Sequence, residues 1–318
     1  MKKLKGLILI TVLMVVLGGC GIKDPKGNVK EIISHNLEKY DFDSLSKRQG
    51  EASEIKITQE KAKYGSGVVY SFTSQGKKIS GTMVDLHPEM SKLRPAIVMI
   101  RGYAPTEGYY PGSGSWRVAE ELAKEGYVTF SIDFLGYGQS DSGSADALEA
   151  RFEKVINVMD LIESIKKLPW IDQNKIGIWA HSNGGQITLS VLEVTGGNYP
   201  TVLWAPMTNP FPQSLIDTAD EGEEKQKAIE YVNLFLKYYD GRRYAVENYW
   251  EKIKAPILIQ QGTADEWCEV EWQEKVVKSL KDLGKKAELV IYRGSDHNLK
   301  KDWSEAVRKD LEWFKKYW

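Results

Sequence analysis

The chain has 318 residues, 42% of them hydrophobic, with 43 Lys and Arg against 44 Asp and Glu and a formal net charge of −1. That length suits one large α/β domain or two small ones, with ample apolar residues for a core. The even charge balance excludes an electrostatic case for nucleic-acid binding, and the 11 prolines and 28 glycines stand as punctuation, without low-complexity tracts or an internal repeat.

At the N-terminus, Lys2, Lys3 and Lys5 precede an apolar run from Leu7 to Leu17, and Gly18-Gly-Cys20 follows. Basic, apolar, then small is the order of a secretory signal, and the run is too short to span a bilayer comfortably. Leu17-Gly-Gly-Cys20 also resembles the bacterial lipobox, whose cysteine is lipidated and becomes the first mature residue. A plain cleaved signal with an incidental cysteine is the other reading. On the lipobox reading, residues 1–19 are a signal peptide and Cys20 carries the lipid. The protein is then exported and anchored to the bacterial cell membrane, facing outside the cytoplasm, and two acyl chains suffice for stable anchoring. Gly21 does not set the membrane or leaflet. Cys268, the other of the two cysteines, is left without a disulfide partner. Residues 20–63 are polar and mixed and are expected to be mainly a spacer, with a short amphipathic helix over Val29–Tyr40.

From Tyr64 the pattern becomes regular. Gly67–Thr73 and Ile79–Leu86 alternate like two antiparallel strands joined at Ser74-Gln-Gly76. Apolar runs at Ala96–Ile100, Tyr127–Ile132, Lys175–Trp179, Thr201–Trp204, Ile257–Ile259 and Glu288–Tyr292 read as further strands. Between them lie helical patterns. Leu148, Phe152, Val155, Met159 and Ile162 share one helix face, and Gln186–Val194, Glu269–Leu283 and Lys300–Tyr317 are others. Strands alternating with helices imply an α/β fold, a mostly parallel sheet of about eight strands with helices on both faces, over residues 64–318. Between the sixth and seventh of these strands lies a helical insertion, residues 207–254, expected as a small cap. Its aromatics include Phe211, Tyr231, Phe235 and Tyr239, most of which should pack the cap onto the core. The loop Tyr103–Trp116, with Tyr109 and Tyr110, is placed to shape a substrate mouth.

The chemistry centres on Ile176-Gly-Ile-Trp-Ala-His-Ser182-Asn-Gly-Gly-Gln186. An apolar strand ends at a serine flanked by small residues at −2 and +2, Ala180 and Gly184, and a helix follows. This is the pattern of a nucleophile elbow, a tight turn that lifts a serine hydroxyl above a parallel sheet. An ordinary turn with Ser182 as helix N-cap is the bland alternative. Serine is a poor nucleophile without a base, an orienting carboxylate and oxyanion donors. His297 is the one histidine C-terminal to Ser182 and follows the last strand, where catalytic loops sit. His181 adjoins Ser182 on the turn, so its side chain should point elsewhere; His35 and His87 precede the core sheet. Asp265 follows the strand before the last and is the candidate acid, with Glu266 its close rival. The oxyanion donors are expected from the backbone N–H of Asn183 and one from Arg101-Gly-Tyr-Ala104, with Tyr103 first and Gly102 second.

These motifs together resemble the α/β-hydrolase superfamily, in its prolyl oligopeptidase and dienelactone hydrolase branch. Asp133-Phe-Leu-Gly-Tyr-Gly-Gln-Ser140 is similar to that branch's Asp-x-x-Gly-x-Gly-x-Ser loop. Ala180–Gly185 is similar to its elbow, Gln261-Gly-Thr-Ala-Asp265 to its acid loop and Gly294-Ser-Asp-His297 to its histidine loop. Two departures stand out: Arg101 occupies a place where histidine often precedes the oxyanion glycine, and the nucleophile is serine where dienelactone chemistry uses cysteine. The resemblance to oligopeptidases is expected to stop at the catalytic domain, without a preceding propeller. The reading is a serine hydrolase cleaving carboxylic esters through an acyl-enzyme, without metal or cofactor, on a small-molecule ester or short peptide. A peptidase or amidase uses the same residues with another leaving group. A non-catalytic binding lipoprotein on a hydrolase scaffold is the reading from another class.

Overall fold

The computed structural model describes residues 36–88, 92–219 and 221–318. Cys20, the stretch read as a signal sequence and most of the Val29–Tyr40 segment expected to be helical fall outside the described residues. Among the described residues, no helix is long and apolar enough to cross a membrane.

Among the described residues, nine strands form one sheet in the order β1-β2-β3-β5-β4-β6-β7-β8-β9. They are β1 (Lys56–Lys61), β2 (Val68–Ser74), β3 (Lys77–Val84), β4 (Arg94–Ile100), β5 (Val128–Ile132), β6 (Ile171–His181), β7 (Thr201–Trp204), β8 (Ile257–Gly262) and β9 (Ala287–Tyr292). The first three strands and the β3–β5 pair are antiparallel, and everything from β5 through β4 to β9 is parallel. The sheet thus has one strand more than the sequence pattern predicts, and the serine follows the sixth strand, not the fifth. The extra strand is β1, whose six residues Lys-Ile-Thr-Gln-Glu-Lys are all exposed. It has no buried face, so it lacks the alternation by which a strand is recognised, and its lysines suit an open sheet edge.

The helices are α1 (Phe42–Lys47), α2 (Trp116–Lys124), α3 (Ala147–Ile165), α4 (Asn183–Thr195), α5 (Gln213–Asp217), α6 (Glu223–Tyr238), α7 (Val270–Asp282) and α8 (Trp303–Tyr317). One face of the sheet buries its apolar side chains against α3, α4 and α7, the other against α2 and α8. Each fully buried Leu or Phe contributes about 1.5–3 kcal/mol. α8 also brings a carboxylate into the core. Asp310 is fully buried and accepts hydrogen bonds from Trp179 Nε1 at 3.1 Å and Trp204 Nε1 at 2.9 Å, and from Gln260 Nε2. It ties the C-terminal ends of β6, β7 and β8 to one point. Burial pushes its carboxyl well above the usual range, against the pull of those bonds.

Residues 37–47, within the stretch read as a spacer, pack into the domain. Leu37, Tyr40, Phe42 and Leu45 belong to the main core cluster. Asp41 caps α1 by accepting from the Ser44 N–H at 2.7 Å, and its other oxygen pairs with Arg243 of the insertion. The insertion itself folds as α5, α6 and three short 3₁₀ turns. Phe211 and Phe235 are buried in it and meet Phe152 of α3 and Tyr244. These aromatics therefore join the insertion to the core.

Candidate active site

Ser182 stands between β6 and α4 with φ 54° and ψ −123°. This backbone conformation is costly for a residue with a Cβ, and it persists because the surroundings determine it. The Ser182 N–H donates to Trp204 O at 3.0 Å, and Ser182 O accepts from Gly185 N–H at 2.8 Å and Met207 N–H at 2.9 Å. The small neighbours are required by contact. A Cβ on Gly184 would collide with the Ile100 carbonyl and lie 2.8 Å from that of Arg101; one on Gly185 would collide with Pro206. A Cβ on Gly102 would lie 2.8 Å from Ser182 Cβ, so the loop after β4 passes directly over the serine.

His297 lies in the loop after β9, and Asp265 in the loop after β8. His297 Nδ1 is 3.0 and 2.9 Å from the two Asp265 oxygens. The Asp265 side chain is wholly buried and also accepts from the N–H groups of Trp267 at 2.8 Å and Cys268 at 3.0 Å, and from Gln261 Nε2 at 2.8 Å. Burial alone would raise its carboxyl, but the hydrogen bonds from His297 and from the Cys268 and Trp267 amides hold it below the usual carboxylate range. An ionised Asp265 fixes the proton on Nδ1 and leaves Nε2 of His297 as the base. Glu266 is exposed and stands outside this arrangement. Asp296 turns to its own loop, accepting from the Asn298 and Lys300 N–H groups. Ser182 and His297 are not joined by a hydrogen bond here; such contacts are often long without substrate and tighten in the Michaelis complex.

His181, the last residue of β6, reaches the loop that carries His297. Its Nε2 is 2.9 Å from His297 O, and the two rings are 4.7 Å apart. Burial, reinforced by the neighbouring His297, pushes His181 down to about 4. It is therefore neutral near pH 7 and donates Nε2–H to the His297 carbonyl. The sequence offers no signal for this contact, because the two histidines stand 116 positions apart. Tyr109, expected at the substrate mouth, instead turns inward and donates its hydroxyl to Asp133 at 2.8 Å. Tyr110 packs edge-on against Tyr64.

A narrow cavity of about 30 Å³ opens beside Asn183 and Gln186. Phe42, Phe152, Phe211 and Tyr244 line it, and Arg151, bonded to Gln186 Oε1, borders it. One wall thus comes from the N-terminal segment, which its sequence assigns to a spacer. Among the described residues, Asp265, Cys268 and His297 each bring a ligand atom within 4.8 Å of the others. Two of the three already form the acid–base pair, and the third is a buried thiol.

The model of the prolyl oligopeptidase family matches residues 115–318. An uncharacterized peptidase, YuxL of Bacillus subtilis (strain 168), is 27% identical over 191 residues, covering 56% of this chain and 27% of that protein. The chain spans about a fifth to a third of the length of the curated relatives it matches. Among solved structures, acetyl xylan esterase 1 from Thermoanaerobacterium sp. JW/SL YS485 has a TM-score of 0.62 at 15% identity, covering 88% of this chain and 93% of that one. Pyrococcus horikoshii acylaminoacyl peptidase has a TM-score of 0.61 at 19% identity, covering 81% and 42%. At these identities the two structures speak for the α/β-hydrolase fold.

Proposed function

Since this chain belongs to the prolyl oligopeptidase family and is a serine hydrolase, we propose that it cleaves short-chain carboxylic esters through an acyl-enzyme on Ser182. The observation that carries the reading is the buried Asp265–His297 pair set beside a serine in a strained elbow. Ser182 Oγ attacks the ester carbonyl while His297 Nε2 takes its proton. The tetrahedral oxyanion is met by the backbone N–H of Asn183 and that of Tyr103. Collapse expels the alkoxide, which receives the proton from His297. Water, deprotonated by the same nitrogen, then releases the acid and restores the serine.

The preference for a small acyl group rests on the narrow aromatic cavity that borders Asn183, the residue next to Ser182; Ser182 and His297 are not among its lining residues. Its aromatic walls favour an uncharged acyl or aryl group. Amide hydrolysis is the second reading, favoured by relatives described as peptidases. A fluorophosphonate probe should label Ser182, and Ser182→Ala should abolish labelling and lower turnover by about 10⁴-fold or more. A panel of acetyl, propionyl and aminoacyl esters beside matched peptide amides separates the readings. Turnover of the amides without the short acyl esters would overturn the ester reading.

We also propose that the chain is exported and held at the outer side of the bacterial cell membrane by a lipid on Cys20. The support is the Lys2–Cys20 sequence alone. Cys20→Ser should release the protein from membranes, and continued membrane association would refute the anchor.

A further inference from the structure

The reaction above leaves Arg101 and the Asp133–Ser140 loop without a part. Arg101 is 5% exposed, at the end of β4, and its guanidinium is spread over three acceptors. Nη1 donates to Gly102 O at 2.8 Å, Nη2 to Asp133 O at 3.0 Å and Nε to the Tyr109 hydroxyl at 3.1 Å. The guanidinium carbon lies 4.1 Å from the Tyr137 ring centroid and 4.8 Å from that of Tyr109. The same loop grips the chain again two residues further on, where the Tyr137 hydroxyl donates to Ala104 O at 3.0 Å. The Asp133 carboxylate is in turn fixed by Ser80 Oγ at 2.6 Å, Tyr109 and Gly112 N–H at 3.0 Å.

The carbonyl that Arg101 holds belongs to the Gly102–Tyr103 peptide. A trans peptide is planar, with its C=O and N–H pointing in opposite directions. Fixing the oxygen toward the guanidinium fixes the Tyr103 N–H on the other side, and Gly102 itself passes over Ser182. The acceptors of Arg101 are two main-chain carbonyls and a phenol, so its charge stays one hydrogen bond removed from the Asp133 carboxylate.

We infer that Arg101 is a positioning residue for the oxyanion site: it locks the Gly102–Tyr103 peptide so that the Tyr103 N–H faces the carbonyl oxygen of a substrate on Ser182. A charged donor on the peptide oxygen also polarises the peptide and strengthens its N–H as a donor. The inference rests on the serine-hydrolase reading of Ser182.

The test compares Arg101→Met, which keeps length and loses every donor, with Arg101→Lys and the wild type. Active sites are counted by fluorophosphonate labelling, and kcat and KM for a short acyl ester are expressed per labelled site. A trifluoromethyl ketone, which forms an oxyanion on the serine, supplies a binding constant. Arg101→Met should lower per-site kcat by about 10²-fold, the effect of losing one oxyanion donor, and weaken the ketone in step, with KM changed by less than roughly 3-fold. Arg101→Lys should recover part of the loss. A general structural defect lowers the labelled fraction and leaves per-site kcat alone. Unchanged per-site kcat, or a loss confined to KM, overturns the inference; should Arg101→Met not fold, Arg101→Lys at wild-type per-site kcat does the same. A wild type that fails to label at Ser182 removes the serine-hydrolase reading instead, and the inference with it.

Discussion

Replacing His181 by glutamine should make the fold markedly less sensitive to mild acid. The imidazole is held down to about 4 by burial and by His297, whereas an unfolded chain holds it near 6.5. Below pH 6.5 the unfolded state binds a proton that the folded state refuses, so stability falls as the pH drops. Between pH 7.5 and 5 the two values imply a loss of about 2 kcal/mol, an upper figure because the half-buried ring keeps some solvent screening. Glutamine does not titrate and keeps an N–H for the His297 carbonyl, so His181→Gln should escape this loss. Asp265 does not confuse the comparison. Its carboxyl is held below 3.8, so its contribution is present above that pH and disappears only as the pH falls through its folded value. Differential scanning calorimetry at pH 7.5 and 5.0 provides the assay. The wild-type midpoint should fall by up to about 4–8 °C more than that of the variant, at about 2–4 °C per kcal/mol for a domain of this size. Equal falls would refute the assignment of a neutral His181.

Three further outcomes follow from the geometry. Asp265→Asn should lower kcat by about 10⁴-fold, since an amide cannot hold the required imidazole tautomer, whereas Glu266→Gln should leave steady-state rates within about 2-fold. Gly184→Ala, whose methyl would run into the Ile100 and Arg101 carbonyls, should destabilise by about 1–3 kcal/mol in denaturant titration and displace the Asn183 N–H enough to reduce turnover. Asp310→Ala strands the Trp179, Trp204 and Gln260 donors in the core and should cost at least about 3 kcal/mol, read from the urea midpoint.

The parallel core of the sheet was legible because its strands are short, apolar and separated by amphipathic helices, and the order of Ser182, Asp265 and His297 could be read beside them. What escaped the sequence has no periodic signature. β1 buries nothing, so nothing in its pattern distinguishes it from coil. Leu37, Tyr40, Phe42 and Leu45 are anchors spread over two short helical turns inside a polar stretch, too few for a hydrophobic period. The inward turn of Tyr109 and the grip of Arg101 on Gly102 depend on Asp133 arriving from another strand. Long-range contacts of that kind leave no local mark. The contact between His181 and His297 joins residues separated by 116 positions, which is why adjacency to the serine suggested only that the ring would turn away.

The placement of Asp310 ties the site to the order in which the polypeptide is made. Trp179 and Trp204 emerge from the ribosome more than a hundred residues before their acceptor. Until α8 has been synthesised, the strand ends beneath the serine enclose indole N–H groups with nothing to receive them, and closing the core around them is unfavourable. The late helix thus acts as a completion signal. A chain still on the ribosome should remain open and catalytically silent, and a cut just before Trp303 should silence a finished molecule without touching Ser182, Asp265 or His297.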